Sequence, residues 1–108
     1  MDPRLWQILN TSPGELYIRE ISLSHQGRSL ILDCETFNEN HPNGRRFRLT
    51  FSRCRDVHWQ ASDPHSNEPE FTQALGMYLG EELHTKPAIV YTGGTEMSVL
   101  YDEIRIDG

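Results

Sequence analysis

The sequence predicts an α+β fold: a mainly antiparallel sheet of five or six strands with one amphipathic helix packed on one face, all within a single domain, residues 1–108. Three observations carry this expectation. Apolar residues alternate with period two in three consecutive stretches joined by short turn-forming segments. One later stretch, from about residue 68 to residue 83, has helical spacing instead. No repeated strand–helix unit is present that would build a parallel sheet. A chain of 108 residues hides about two thirds of its extended surface on folding, enough for one core and not two.

In chain order, Leu5, Trp6, Ile8 and Leu9 fit either a helical turn or a short edge strand, and Asn10–Gly14 is a turn. Glu15–Ser24 and Ser29–Phe37 then form a hairpin with Gly27 in its tip. Pairing from that tip sets Tyr17, Arg19, Ile21 and Leu23 beside Thr36, Cys34, Leu32 and Leu30 as a core face. After the polar segment Asn38–Gly44, Arg45–Ser52 is a third strand, with Phe47, Leu49 and Phe51 expected beside Thr36, Cys34 and Leu32. Ser52–Trp59 extends that strand or begins a fourth.

For the helix, Phe71, Ala74, Leu75, Tyr78, Leu79 and Leu83 define the apolar stripe, and Asn67 with Glu70 resembles a capping box. Gly76 and Gly80 each cost about 1 kcal/mol of helix propensity, which suggests close approach to the sheet. Ala88–Thr92 and Glu96–Ile106, joined at Gly93–Gly94, read as a terminal hairpin.

A content of 36% hydrophobic residues argues against disorder, and no apolar run is long enough for a membrane helix. The N-terminus lacks the features of a secretory signal, and two Cys are too few for a disulfide framework, so a cytoplasmic protein with free thiols is expected. A net charge of −6 makes nucleic acid an unfavoured partner.

That charge is unevenly spread. Arg45, Arg46, Arg48, Arg53 and Arg55 are half of the ten basic residues, gathered in eleven positions. Arginine without lysine suits planar, bidentate recognition of carboxylates, and Phe37, expected beside Arg46, adds an aromatic component. These six residues are the candidate partner-binding surface. The bland alternative is internal: the arginines can answer nearby acids of the same chain.

A second candidate is acidic. The expected register sets Glu20 opposite Asp33 and Ile18 opposite Glu35, and two neighbouring carboxylates can share a metal or divide acid and base roles. Arg48 opposite Glu35 and Thr50 opposite Asp33 would make the same face a solvated salt-bridge surface. Cys34 is expected in the core, whereas Cys54, between Arg53 and Arg55, would be activated if exposed. His58 and His65, with Asp56 and Asp63, are a weak surface metal set, and no nucleophile, phosphate-loop, zinc or cofactor motif is present.

In outline, two hairpins and a tryptophan in a small acidic domain, the chain resembles small bacterial domains that include immunity proteins neutralising toxins; that likeness assigns no residue. The reading favoured is a non-enzymatic interaction domain that binds an acidic protein partner, or a second copy of itself as a homodimer, through a sheet face and the Arg-rich strand. The alternative is a small-ligand- or metal-binding domain, or an enzyme, using Glu20, Asp33 and Glu35.

Overall fold

Asp2 shows why the first residues become a helix and not an edge strand. In the computed structural model, which describes residues 1–61, 72–81 and 86–108, its carboxylate accepts from the Arg4 amide at the start of α1 (Pro3–Leu9). Pro3 sits where a helix has no use for an N–H. The helix stops at Asn10, whose left-handed φ of 55° lets Asn10 and Thr11 donate to the Gln7 and Trp6 carbonyls. Leu5, Trp6 and Leu9 are buried and Ile8 faces outward.

The strands are β1 (Glu15–Ser24), β2 (Ser29–Phe37), β3 (Arg45–Ser52), β4 (Arg55–Ala61), β5 (Thr72–Gln73), β6 (Gly76–Tyr78), β7 (Ala88–Tyr91), β8 (Thr95–Leu100) and β9 (Glu103–Asp107). They make two antiparallel sheets, of order β5-β1-β2-β3-β9 and β4-β8-β7-β6, where the sequence suggested one. One core joins both sheets and α1: Leu30, Leu32 and Leu49 from the first, Met77, Val90, Met97 and Val99 from the second, and Leu5 and Leu9 from the helix. The radius of gyration, 13.3 Å, is that of a compact chain of this length.

The helix expected over residues 68–83 is a correction. Residues 68–71 and 82–83, with the capping-box pair Asn67 and Glu70, lie outside the described residues, and the part that is described runs as β5 and β6. Burial there is not helical: Met77 and Leu79 are buried, whereas Leu75 and Tyr78 face solvent. Gly76 and Gly80 do mark close approach, at β6 and just beyond it. A Cβ on Gly76 would lie 2.4 Å from the Tyr91 ring, and one on Gly80 2.3 Å from the Pro87 carbonyl. Among the described residues the apolar face of the first sheet is covered by the second sheet and α1, not by a long helix.

The β1–β2 register holds from the tip to Glu20↔Asp33 and then shifts by one at a bulge between Ile18 and Glu20. Beyond it Ile18, not Arg19, lies opposite Cys34, and Leu16, not Tyr17, opposite Thr36. Leu16 and Ile18 therefore enter the core and Tyr17 turns outward. The β2–β3 register is displaced by two residues: Phe47, Leu49 and Phe51 oppose Cys34, Leu32 and Leu30. The face is unchanged because the shift is even. Its cause is the 38–44 loop. Asn38 is occupied there, donating to Thr11 Oγ1 and the Ser12 carbonyl at 2.9 and 2.8 Å and accepting from the His41 amide at 2.8 Å.

At the far end the chain changes sheets twice. Arg53, in the left-handed region at φ 53°, turns β3 toward β4, and Tyr101–Asp102 carries β8 into β9. The terminal hairpin forms as expected up to Leu100, and Ile104 and Ile106 then join the first sheet instead of prolonging the second. The Tyr101 hydroxyl donates to the Leu79 carbonyl, and its ring meets Phe51 edge-on at 4.8 Å.

Candidate functional site on the outer face of the first sheet

The strands β1, β2, β3 and β9 set charged residues in cross-strand rows on the face turned away from the core. One row is Glu20, Asp33, Arg48 and Asp107; the next is Tyr17, Glu35 and Arg46. Between them lies a shallow depression of about 730 Å³ whose charged lining is Arg19, Glu20, Asp33, Arg46, Arg48 and Asp107. Arg48 Nε bonds Asp33 at 2.8 Å, and Arg19 Nη1 bonds Glu35 at 3.1 Å. Arg48 and Asp33 are both open to solvent, so their pair contributes at most about 1 kcal/mol, whereas Glu35 in the other pair is only 14% exposed.

Arg46 is different. It is exposed on β3 and forms no ion pair or hydrogen bond among the described residues. Its row neighbour Glu35 is turned to Arg19. Nearby on the same face Tyr17 and Phe37 meet edge-to-face, ring centres 5.6 Å apart. Gly44, at φ +93°, lets the loop close over Phe37, because a Cβ there would sit 2.9 Å from the ring. The Tyr17 hydroxyl donates to Glu15, which pushes its pKa up and keeps the phenol neutral.

The structure divides the five clustered arginines among three places. Arg46 and Arg48 stand on the outer face with Phe37. Arg45 is on the core side of β3, where its guanidinium donates to the Leu9 carbonyl at 2.6 Å and the Gly108 carbonyl at 3.3 Å. There it satisfies a carbonyl at the helix C-terminus and sets a positive charge at the negative end of the dipole. Arg53 and Arg55 converge on Asp102 where the chain changes sheets, at 3.7 and 3.0 Å, and Arg53 also reaches Glu103 at 3.5 Å. The expectation of one continuous arginine surface is therefore corrected to a pair.

The acidic candidate is also redistributed. Glu20 does lie opposite Asp33, but Tyr17, not Ile18, lies opposite Glu35, Arg46, not Arg48, pairs with Glu35, and Thr50 lies opposite Ile31. Asp33 and Glu35 are each held by an arginine, and no group of three His, Cys, Asp or Glu able to hold a metal is found among the described residues. Of the weak histidine set, His65 and Asp63 lie outside the described residues.

Both thiols are buried and free. Burial pushes the Cys34 pKa up, with Asp33 adding to the effect. Cys54 is raised too, chiefly by burial, and its Sγ donates to the Phe51 carbonyl at 3.0 Å. The flanking arginines do not activate it, since both side chains point to Asp102.

Tyr17 and Arg19 are the site residues that sequence reasoning placed on the wrong face. Their signal was present: Leu16, Ile18, Ile21 and Leu23 are spaced two, three and two apart, which is alternation interrupted by one extra residue.

The molecule is thus a two-sheet antiparallel domain with a short N-terminal helix and a mixed-charge outer face. No family model and no curated protein matches the chain. Its fold is similar to that in a crystal structure of an uncharacterized protein from Neisseria gonorrhoeae, with a TM-score of 0.56 and 15% sequence identity over 90% of this chain and 94% of that one. No helix among the described residues is long and apolar enough to cross a membrane.

Proposed function

We propose that this chain is a non-enzymatic protein-interaction domain that docks a partner on the outer face of the first sheet, around Arg46 and Arg48. The observation that carries the reading is Arg46, an exposed guanidinium without a partner among the described residues, near the Tyr17–Phe37 pair and at the rim of a shallow depression. Arginine and tyrosine in such a setting are what interface centres are rich in. The partner surface presents carboxylates opposite Arg46. It also carries mixed charge elsewhere, because three arginines and three acids line the depression together. An immunity-protein-like role, neutralising another protein by docking on it, is one instance of this reading.

Affinity purification from the native lysate tests it, comparing the wild type with Arg46→Gln/Arg48→Gln and with Arg53→Gln/Arg55→Gln. The expected result is a stoichiometric protein retained by the wild type and the second variant and lost from the first. Retention by the first variant, or loss from the second alone, would remove the outer face from the account.

A further inference from the structure

The four sheet margins are not equally protected, and the difference points to a second surface. An open strand edge is a template for another chain, and natural proteins blunt it with charge, shortness or irregularity. β5 and β6 are two and three residues long. β9 carries Glu103, Arg105 and Asp107. β4 is seven residues long, and past its bulge at Asp56 the stretch Val57-His58-Trp59-Gln60-Ala61 contains no charged side chain. It pairs with β8 on one side, and on the other it has no partner among the described residues. Trp59 is 51% exposed there, although Met97 beside it in β8 is buried.

We propose that the outer edge of β4 pairs with the same edge of a second copy of this chain, antiparallel about a two-fold axis at Trp59. This surface is distinct from the outer face of the first sheet, and the inference stands independently of the proposed function. A two-fold contact must be self-complementary, and this one is: Trp59 meets Trp59, His58 meets Gln60, and Val57 meets Ala61, with no like charges opposed. The same operation on β9 about Arg105 would set Arg105 against itself and Glu103 against Asp107. Of the two longer edges among the described residues, β4 and not β9 accepts its own copy. A five-residue strand pair buries less than the roughly 1,200 Å² of a stable interface, so the dimer is weak and concentration-dependent.

Light scattering coupled to size exclusion, with loading from about 10 μM to about 1 mM, covers the range of such an affinity. The mass is expected to rise toward twice the monomer in the wild type, in Trp59→Phe and in Leu75→Lys, which charges an exposed apolar residue elsewhere, and to stay monomeric in Trp59→Lys. A wild type monomeric throughout, a dimer that Trp59→Lys retains, or one that Leu75→Lys also abolishes would overturn the proposal. If Trp59→Lys fails to fold, Trp59→Cys decides. Opposed Cα atoms in an antiparallel pair, about 4.5–5.5 Å apart, lie within disulfide reach, so mild oxidation should give a covalent dimer. No covalent dimer would refute the register.

Discussion

The start of α1 and the outer face of the first sheet both bring arginine and carboxylate together, and a further arginine meets the end of α1, yet the fold uses the charges around the helix and leaves those of the sheet face available. Asp2 is 7% exposed and accepts from the Arg4 amide, the Arg4 guanidinium and the Leu79 amide, the last at 3.0 Å. Arg45, at the opposite end, is spent on the Leu9 carbonyl. On the sheet face Arg48 and Asp33 share a solvated pair and Arg46 has none among the described residues. The chemical groups are alike. What separates them is whether removing one would orphan a buried backbone group.

The largest expected effect is at Asp2. Asp2→Ala removes the N-cap and leaves the buried Leu79 amide without its acceptor, costing about 2–4 kcal/mol in urea unfolding. Acid titration probes the same carboxylate. The Arg4 hydrogen bond, and secondarily the Leu79 amide, hold its pKa at about 2 against an ordinary 3.8, although burial opposes them. The unfolded chain therefore takes up the proton first. About 2 kcal/mol of stability, present above pH 4, should disappear as pH falls from roughly 4 toward 2. In Asp2→Asn that part of the acid transition should be absent.

Arg45 is expected to rank next. Arg45→Met keeps the apolar stem but loses the bond to the helix C-terminus, at a cost of about 1–2 kcal/mol. Arg46→Gln, the smallest effect, should change stability by less than about 0.5 kcal/mol, because no intramolecular bond is lost. Arg48→Gln should cost less than about 1 kcal/mol, the worth of an exposed pair.

The same contrast shows how much was legible in the sequence. The first three strands, the core face of β2 and β3 and the last hairpin's turn could be read because each states its alternation locally and turn residues bracket it; the core face of β1 could not, since the bulge brings in Leu16 and Ile18 and Leu23 stays exposed. Thr92 even bonds the Gly94 and Thr95 amides with its own hydroxyl, a device visible in Thr-Gly-Gly-Thr. Residues 72–81 could not be read. Ala74, Leu75, Tyr78 and Leu79 mimic a helical stripe, and what makes the segment a strand is the non-local closeness of Gly76 to Tyr91 and of Gly80 to Pro87. The arginine cluster was visible as composition. Its division was not, because Arg45 turns inward to a helix end 36 residues earlier in the chain, and Arg53 and Arg55 turn to Asp102. Of the two residues left for a partner, strand parity alone places both on the outer face.

Equilibrium unfolding in urea of Arg45→Met beside Arg46→Gln/Arg48→Gln tests this division most directly, since it needs only the purified protein. The account predicts a midpoint lowered by the equivalent of about 1–2 kcal/mol in the first and by less than about 1 kcal/mol in the second, with unchanged slopes. A double variant destabilised as much as Arg45→Met would contradict it, because the outer-face arginines would then be structural and not available to a partner.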